Sequence, residues 1–567
     1  MAGDPLKKGR YTEYSNKIGL FDKNNKQFIG NSPEVVLSFP FKDAVLEAGM
    51  TKEDAGREER FLNIKIDAKD IDTLEDPKVL TNFKYIDKDG EKELDENSTI
   101  EFFDENGELK QNLLIKGNNL LALYTLKENL AGKIKLIYID PPYNTGNDGF
   151  KYNDNFNHSS WLTFIKNRLE VARELLKDEG CILISCDDNE QAYLRVLCDE
   201  IFGAQNFIAN FVWQKKTSGS QHSKHVLDFH EYILAFAKDI SKLPSFKAKR
   251  TAEQESSFKY EDEYVEERGK YLVSPLKSWL DYRRTLIYPI QMPDGSTLET
   301  QWVCSRKTFD ELLADGRIEF RQSREGNWSV YKKQYITDRG GEVLPPSILL
   351  NSGQSANGTK EVNSLFGKKV FSNPKPEKLI SDLIYATTEE GDLVLDFCLG
   401  SGTTAAVAHK MNRRWVGIEQ MDYIESVAKE RINNVIRGDH GGISEDVNWH
   451  GGGSFVYCEL KKYNQDFIDR IMEAITIPEL EEIYEDMQKN AFLKFFFDKN
   501  EFEKDENFRS KSLDERKELL VGILDENQFY LNLSEMNDTK YKVTDAERVL
   551  TEKFYQINEY EVEDDEE

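Results

Sequence analysis

Cysteine is scarce in this 567-residue chain. The six are Cys181, Cys186, Cys198, Cys304, Cys398 and Cys458, and no two form a CxxC pair. That excludes a disulfide framework and a cysteine-built zinc site, and it suits a reducing compartment. No stretch approaches the ~18 uninterrupted apolar residues that a membrane span needs. The opening MAGDPLKKGR runs into polar sequence without an apolar h-region. Neither a secretory leader nor a membrane anchor is expected, and a cytoplasmic location is. A Walker A loop and a P-D-x-n-[DE]-x-K nuclease signature are both missing, which argues against a helicase or nuclease. His222, His225 and His230 fit no common metal-ligand spacing and have no cysteine beside them, so no metal is expected.

Positive charge is short overall. The net charge of -28 at first argues against nucleic acid. Its distribution weakens that argument. Residues 459–567 carry 15 Lys and Arg against 31 Asp and Glu, whereas residues 205–250 carry 8 against 3. Phosphate binding is a local electrostatic matter. The acidic end is therefore expected to lie away from any DNA.

Five segments follow from the patterning. Residues 1–110 are polar, acidic and loop-like between Asp87 and Glu108, and read as an N-terminal appendage with some helix. Residues 111–214 alternate strand and helix. Leu120, Leu121, Leu123, Leu126 and Leu130 have helical spacing, Leu136–Ile139 reads as a buried strand, Trp161–Leu176 as a helix, and Cys181–Ser185 as the next strand. Residues 215–369 break into short, turn-rich pieces, with turns at Pro293-Asp294-Gly295 and Arg339-Gly340-Gly341, and read as an inserted α+β domain. Residues 370–460 resume the α/β rhythm: helix at Leu379–Tyr385, strand at Leu393–Asp396, helix at Ala405–Met411, strand at Trp415–Glu419, helix at Tyr423–Arg437. Residues 461–567 read as an acidic, mainly helical domain. The alternation predicts a doubly wound α/β sheet.

Two motifs close predicted strands. Asp140-Pro141-Pro142-Tyr143 follows the first. Ligands of open α/β sheets sit outside the carboxyl ends of the strands. The amino nitrogen of adenine or cytosine is a poor nucleophile, because its lone pair is delocalised into the ring. Asp140 and the Pro141 carbonyl can accept its N–H groups and favour a pyramidal nitrogen with a free lone pair. Two prolines stiffen the turn, and Tyr143 can stack on a base that has left the duplex. The second motif is Asp396-Phe397-Cys398-Leu399-Gly400-Ser401-Gly402-Thr403-Thr404, with Glu419 at the end of the next strand. Gly400 and Gly402 permit close backbone approach. An acidic residue at Glu419 is placed for ribose hydroxyls, and the loop lacks the third glycine of the dinucleotide fingerprint. Together these describe an adenosine-bearing cofactor.

With both motifs and a large insert between them, the chain resembles the amino-group DNA methyltransferases in the motif order of their β class. The closer resemblance, carried by Lys116–Gly146, by Gly451-Gly452-Gly453-Ser454-Phe455 and by the long C-terminal extension, is to the modification subunits of type III restriction-modification systems. The resemblance implies a Rossmann-like sheet, S-adenosylmethionine as cofactor, base flipping, and N6 of adenine as target, with N4 of cytosine the alternative. It implies double-stranded DNA as substrate and the insert as target recognition domain. A homodimer and a restriction partner with helicase and nuclease activities are implied too, although an orphan enzyme would share the motifs. It assigns Asp140, Pro141, Pro142 and Tyr143 to catalysis. Asn118, Asp140, Lys375, Asp396, Phe397, Gly400, Ser401, Gly402, Thr403 and Glu419 go to the cofactor. Trp213, Lys215, Lys216, Ser218 and Gln221, at the start of the insert, carry the basic, amide and hydroxyl groups that contact DNA. Asn118 departs from the Asp that many relatives carry there. An RNA or protein methyltransferase more often has Asn-Pro-Pro-Tyr and lacks so large an insert. A nucleotide-binding scaffold would leave Asp140–Tyr143 unexplained.

Overall fold

The computed structural model describes residues 76–145, 158–218, 225–279, 281–490, 511–526 and 530–557, with a few short strand pairings before residue 63. The chain forms two compact units, Met1–Pro244 with Ser347–Glu567, and Ser245–Pro346.

The larger unit begins with β1 (Leu80–Asp87), β2 (Gly90–Glu93) and β3 (Leu113–Lys116), then α1 (Asn119–Leu130), β4 (Ile134–Ile139), α2 (His158–Leu175), β5 (Leu176–Cys186), α3 (Gln191–Cys198), β6 (Phe207–Gln214) and β7 (His230–Ala237). The smaller unit contributes β8 (Tyr271–Pro275), β9 (Ile287–Gln291), β10 (Thr297–Gln301), α4 (Arg306–Ala314), β11 (Ile318–Gln322) and β12 (Trp328–Tyr335). The larger unit resumes with β13 (Ile348–Leu349), α5 (Ser355–Phe366), α6 (Glu377–Thr387), β14 (Leu393–Asp396), α7 (Thr403–Lys410), β15 (Arg414–Glu419), α8 (Glu430–Ile436) and β16 (Ser454–Leu460). It ends in α9 (Gln465–Glu473), α10 (Ile477–Asn490), α11 (Leu513–Glu526) and α12 (Asp545–Tyr555).

One eleven-stranded sheet organises the larger unit, in the order β13-β6-β7-β5-β4-β14-β15-β3-β16-β1-β2. Its middle, β5-β4-β14-β15-β3-β16, is parallel throughout. Every residue of β4 and of β14 is buried, the pattern of strands covered on both faces. From β4 the chain moves to β5 on one side; from β14 it moves to β15 on the other. The strand order therefore reverses between β4 and β14, which pair in parallel through Leu136–Val394 and Ile137–Leu395. A crevice at the carboxyl ends of two such strands is where this class of sheet binds ligands. The doubly wound expectation holds, and the predicted helices and strands of residues 111–214 and 370–460 fall close to those observed, the helix expected at Tyr423–Arg437 being a π-helical segment, Ile424–Lys429, that runs into α8.

Two segments differ from the sequence expectation. Residues 80–93 are not an appendage: β1 pairs antiparallel with β16, from Ser454–Asp87 to Leu460–Leu80, and closes the sheet edge. Among the described residues 76–110 there is no helix. The buried residues of β1 are Leu80, Phe83 and Ile86, three apart, because a register shift opposite Tyr457–Glu459 and Asn82 at φ +51° interrupts the strand, so no alternation shows in the sequence. The separately packed insert is Ser245–Pro346, narrower than 215–369, because β7, β13 and α5 join the larger unit.

The acidic end is also divided. Phe554 and Tyr555 of α12 pack with Phe102 and Phe103 in the main core, and the Tyr555 hydroxyl donates to the Lys78 carbonyl at 2.7 Å. Leu520 and Val521 pack instead in a local cluster with Phe467, Ile471, Leu480, Ile483 and Met487, while Leu519 is exposed. The apolar run Phe492–Phe497 lies outside the described residues. The smaller unit packs α4 and the β9–β10 hairpin around Trp302, Tyr288, Phe309 and Val330, with an antiparallel sheet in the order β8-β12-β11.

Candidate active site

Strand adjacency brings the two motifs together. The turn after β4 and the loop after β14 leave the same end of neighbouring strands and line one cavity of about 430 Å³. Asp140, Pro141, Pro142, Tyr143, Lys215, Lys216, Lys375, Asp396, Phe397, Gly400, Ser401, Thr403 and Glu419 all border it. A larger depression of about 570 Å³ beside Asp439 and Glu361 borders neither motif.

The turn is held from behind. The Trp161 indole N–H donates to the Pro142 carbonyl at 2.6 Å. Past the turn, Asn144 sits at φ +60° and donates from Nδ2 to the buried Glu190 at 2.7 Å. Ahead of it, the Lys375 ammonium lies 2.8 Å from both Asp140 oxygens, 2.9 Å from the Tyr143 hydroxyl and 3.3 Å from Glu231 Oε2. Tyr143 donates to Asp140 Oδ1 at 2.6 Å. Burial alone would lower the Lys375 ammonium, but Asp140 and Glu231 outweigh it and hold it above its ordinary value. Burial, with Asp140 and Glu231 adding to it, keeps the Tyr143 phenol protonated well beyond its usual range. Glu231 was not legible in the sequence: it stands in β7, far along the chain, and only the β5–β7 pairing delivers it.

The glycine loop is shaped by its carboxylates. Glu419 accepts the Gly400 N–H at 2.9 Å and the N–H groups of Gln420 and Met421. Burial pushes its carboxyl up against those donors. Asp396 accepts the Cys398 N–H at 2.9 Å and the Thr404 hydroxyl at 2.6 Å. Burial, reinforced by Asp140 and Glu419, nevertheless raises it to about 7. Gly400 has φ +54°, and a β-carbon there would come 3.2 Å from the Phe371 ring. The Phe371 and Tyr423 rings meet edge-on at 5.2 Å on the cavity wall. A cradle with two buried carboxylates, aromatic walls and a glycine close to its lining suits a cationic, adenosine-bearing ligand, so S-adenosylmethionine fits the residues present.

Four expected site residues stand elsewhere. Asn118 does not line the cavity; its Oδ1 caps α1 by accepting the Leu120 and Leu121 N–H groups. The neighbouring Asn119 lines it instead, donating to the Phe397 carbonyl at 2.9 Å and accepting from Arg168 at 2.6 Å. Gly402 also lies off the lining. At φ +79° it starts α7, and a β-carbon would meet Ala428 at 3.2 Å rather than a ligand. Trp213 is 1% exposed and donates to the Gly353 carbonyl at 2.9 Å, so it is a buried strand residue rather than a DNA-facing one. Ser218 is exposed and away from the cavity, and Gln221 lies outside the described residues. Lys215 and Lys216 do border the cavity, but Lys215 is ion-paired to Asp228 at 2.7 Å.

The chain is similar in sequence to known proteins. The DNA methylase family model for N6 and N4 enzymes matches residues 134–430. The "Probable type III restriction-modification enzyme HindVI Mod subunit" of Haemophilus influenzae is 34% identical over 96% of this chain and 88% of its own. The type III restriction-modification enzyme EcoPI Mod subunit of Escherichia phage P1 is 34% identical over 54% of this chain and 56% of its own. Among solved structures, the cytosine-N4-specific PvuII DNA methyltransferase aligns over 59% of this chain and 90% of its own, at 17% identity and a TM-score of 0.33. With a family model over more than half of its length and a Mod subunit matched nearly end to end, the chain belongs to the amino-group DNA methyltransferases, alongside the modification subunits of type III restriction-modification systems.

Proposed function

We propose that this chain methylates N6 of adenine in double-stranded DNA, as the modification subunit of a type III system, with Asp140 as the residue that receives the target amino group. The observation that carries this reading is the Asp140 carboxylate at the cavity, beside Tyr143 and on the strand next to the glycine loop. S-adenosylmethionine, when bound, supplies an electrophilic methyl group on a sulfonium, for which no Lewis acid is needed. Asp396 and Glu419 would hold its methionine and ribose parts, with Gly400, Ser401, Thr403 and Phe397 forming the wall.

The adenine must leave the duplex to reach Asp140. Asp140 and the Pro141 carbonyl then accept its two N–H bonds, and the nitrogen lone pair is released from the ring. Tyr143 stacks on the base. Lys375 first has to yield some of its hold on Asp140. The Tyr143 hydroxyl and Glu231 lie within reach of the same ammonium, so it stays solvated by protein when Asp140 turns to the base. Trp161 fixes the turn through Pro142.

The type III assignment extends to partners. It carries with it a homodimer, in which one copy reads a non-palindromic site while the other flips the base, and a restriction subunit with helicase and nuclease activities. The smaller unit is assigned to target recognition.

The test is transfer of labelled methyl to DNA, followed by sequencing of methylated genomic DNA. Asp140→Ala should abolish transfer and leave calorimetric S-adenosylmethionine affinity within a few-fold of the parent. Transfer at the parental rate by this variant would sink the assignment, and N4-methylcytosine in the product would move the target atom.

A further inference from the structure

Trp279 and Tyr282 of the smaller unit are side chains of a kind that folded proteins usually cover. Trp279 is 83% exposed and Tyr282 76%, more than any other aromatic side chain among the described residues. Around them stand three cations. Lys277 lies 4.9 Å over the Trp279 ring, and Arg283 and Arg284 are exposed. None of the three has an ion-pair partner among the described residues. Several other cations of this unit are ion-paired: Arg268 with Asp315, Arg317 with Asp315 and Asp338, Arg321 with Glu319, Lys333 with Asp262.

The loop is built rather than loose. One residue, Gln301 at the end of β10, ties both of its ends. The Gln301 backbone carbonyl accepts the Ser278 N–H at 2.8 Å. Its side-chain amide donates to the Ser278 hydroxyl at 3.2 Å and to the Asp281 carbonyl at 3.0 Å, and its Oε1 accepts the Arg283 N–H at 2.7 Å. The next residue, Trp302, is buried and donates to the Tyr288 carbonyl at 2.8 Å. The display is thus anchored directly in the core of this unit.

Exposed aromatics beside unpaired cations have a physical match in nucleic acid. Guanidinium and ammonium groups neutralise phosphates, and flat rings stack on bases or sugars. A protein partner would more often be met by an apolar patch with aromatics at its centre; here Ser278, Asp281 and Thr285 lie between and beside the rings. The chain is strongly acidic overall, and here three exposed cations without an ion-pair partner among the described residues stand beside two exposed aromatics.

We propose that Lys277, Arg283 and Arg284 contact the phosphates of double-stranded DNA, with Trp279 and Tyr282 against its sugars and base edges. The proposal rests on the assignment of the chain as a DNA methyltransferase and names where the smaller unit meets that substrate. The experiment uses the full chain and two double variants, Trp279→Ala with Tyr282→Ala, and Arg283→Ala with Arg284→Ala. The probe is a short duplex carrying the site read from methylated genomic DNA. The aromatic variant should bind it roughly ten- to a hundredfold more weakly. The arginine variant should flatten the dependence of log affinity on log salt by about 2, near one for each phosphate no longer neutralised. Both should bind S-adenosylmethionine as the parent does. Parental DNA affinity and salt slope in both variants would overturn the proposal. So would loss of self-association or of protein binding with DNA binding unchanged, which would make the loop a protein-docking site. If the parent itself transfers no methyl to DNA, the functional assignment falls and the loop's role with it.

Discussion

Asp396 should make cofactor binding pH-dependent, and Asp396→Asn should remove that dependence. The carboxyl is buried and raised from 3.8 to about 7. In the unfolded chain the group ionises near its ordinary value; in the folded, ligand-free protein it stays protonated until pH reaches about 7. Folding therefore loses stability as pH rises between the two values and levels off above the upper one. From pH 5 to 7 the loss is roughly 2 kcal/mol, at 1.36 kcal/mol per unit and with the group half ionised at the upper end. An asparagine can keep the Cys398 contact and reorient the Thr404 hydroxyl, and it carries no such penalty. The stability difference between variant and parent should thus shift by up to this amount in the variant's favour between pH 5 and 8, as read from urea midpoints. Binding runs the opposite way. A cationic ligand needs the anion, so the parent's affinity should rise with pH, by at most about tenfold per unit below 7. The titration is kept below pH 7.5, where the ligand's own ammonium remains protonated. Glu419 is also raised by burial and reinforces the Asp396 shift, so the comparison reads Asp396 together with its effect on Glu419. Calorimetry on both proteins between pH 5.5 and 7.5 decides the matter: parallel curves, or a parent indifferent to pH, would refute the role of Asp396.

Four further outcomes are expected. Gly402→Ala should weaken the fold more than the cofactor contact, lowering the melting temperature by an amount equivalent to about 1 kcal/mol or more, because a left-handed φ and Ala428 oppose the β-carbon; a large loss of cofactor affinity with unchanged melting would contradict this. Trp161→Phe removes the indole donor to the Pro142 carbonyl and should reduce turnover while cofactor affinity holds, which single-turnover kinetics beside calorimetry will show. Glu377→Gln removes the carboxylate shared by the buried Lys410 and Arg431, at 2.9 and 3.0 Å, leaving Asp439 at 2.9 Å from Lys410 and Glu361 at 3.9 Å from Arg431; a cost at the lower end of about 3–5 kcal/mol is expected from denaturant titration. A chain cut after Leu460 should fail to fold, since Phe554, Tyr555 and Tyr530 complete the main core; circular dichroism of the truncation checks this, and a native-like spectrum would show the C-terminal region to be dispensable.

Local patterning carried much of the fold. The apolar runs at Leu136–Ile139, Cys181–Ser185, Leu393–Asp396 and Trp415–Glu419 could only be strands buried on both faces, and the helices between them repeat with the period that covers such a sheet. The aspartate-proline turn and the glycine loop were legible because each is a short contiguous stretch whose chemistry sits in its own residues. Asn118 and Gly402 show the limit of that reading: both are correctly placed beside the site, yet a cap and a tight turn use them locally, and the residues facing the cavity are their neighbours Asn119 and Ser401. Trp213 was misread because a tryptophan beside two lysines looks exposed until the strand's inner face is known.

What the sequence by itself determined is the chemistry available, the α/β alternation and the motif order. Pairing decided the rest, because hydrogen bonding between strands distant in the chain leaves no local mark. The β4–β14 pair sets Asp140 beside Asp396, the β5–β7 pair delivers Glu231 to Lys375, and the β1–β16 pair turns an apparent appendage into the edge of the sheet. Burial, which only the assembled sheet creates, then raises Asp396 and Glu419.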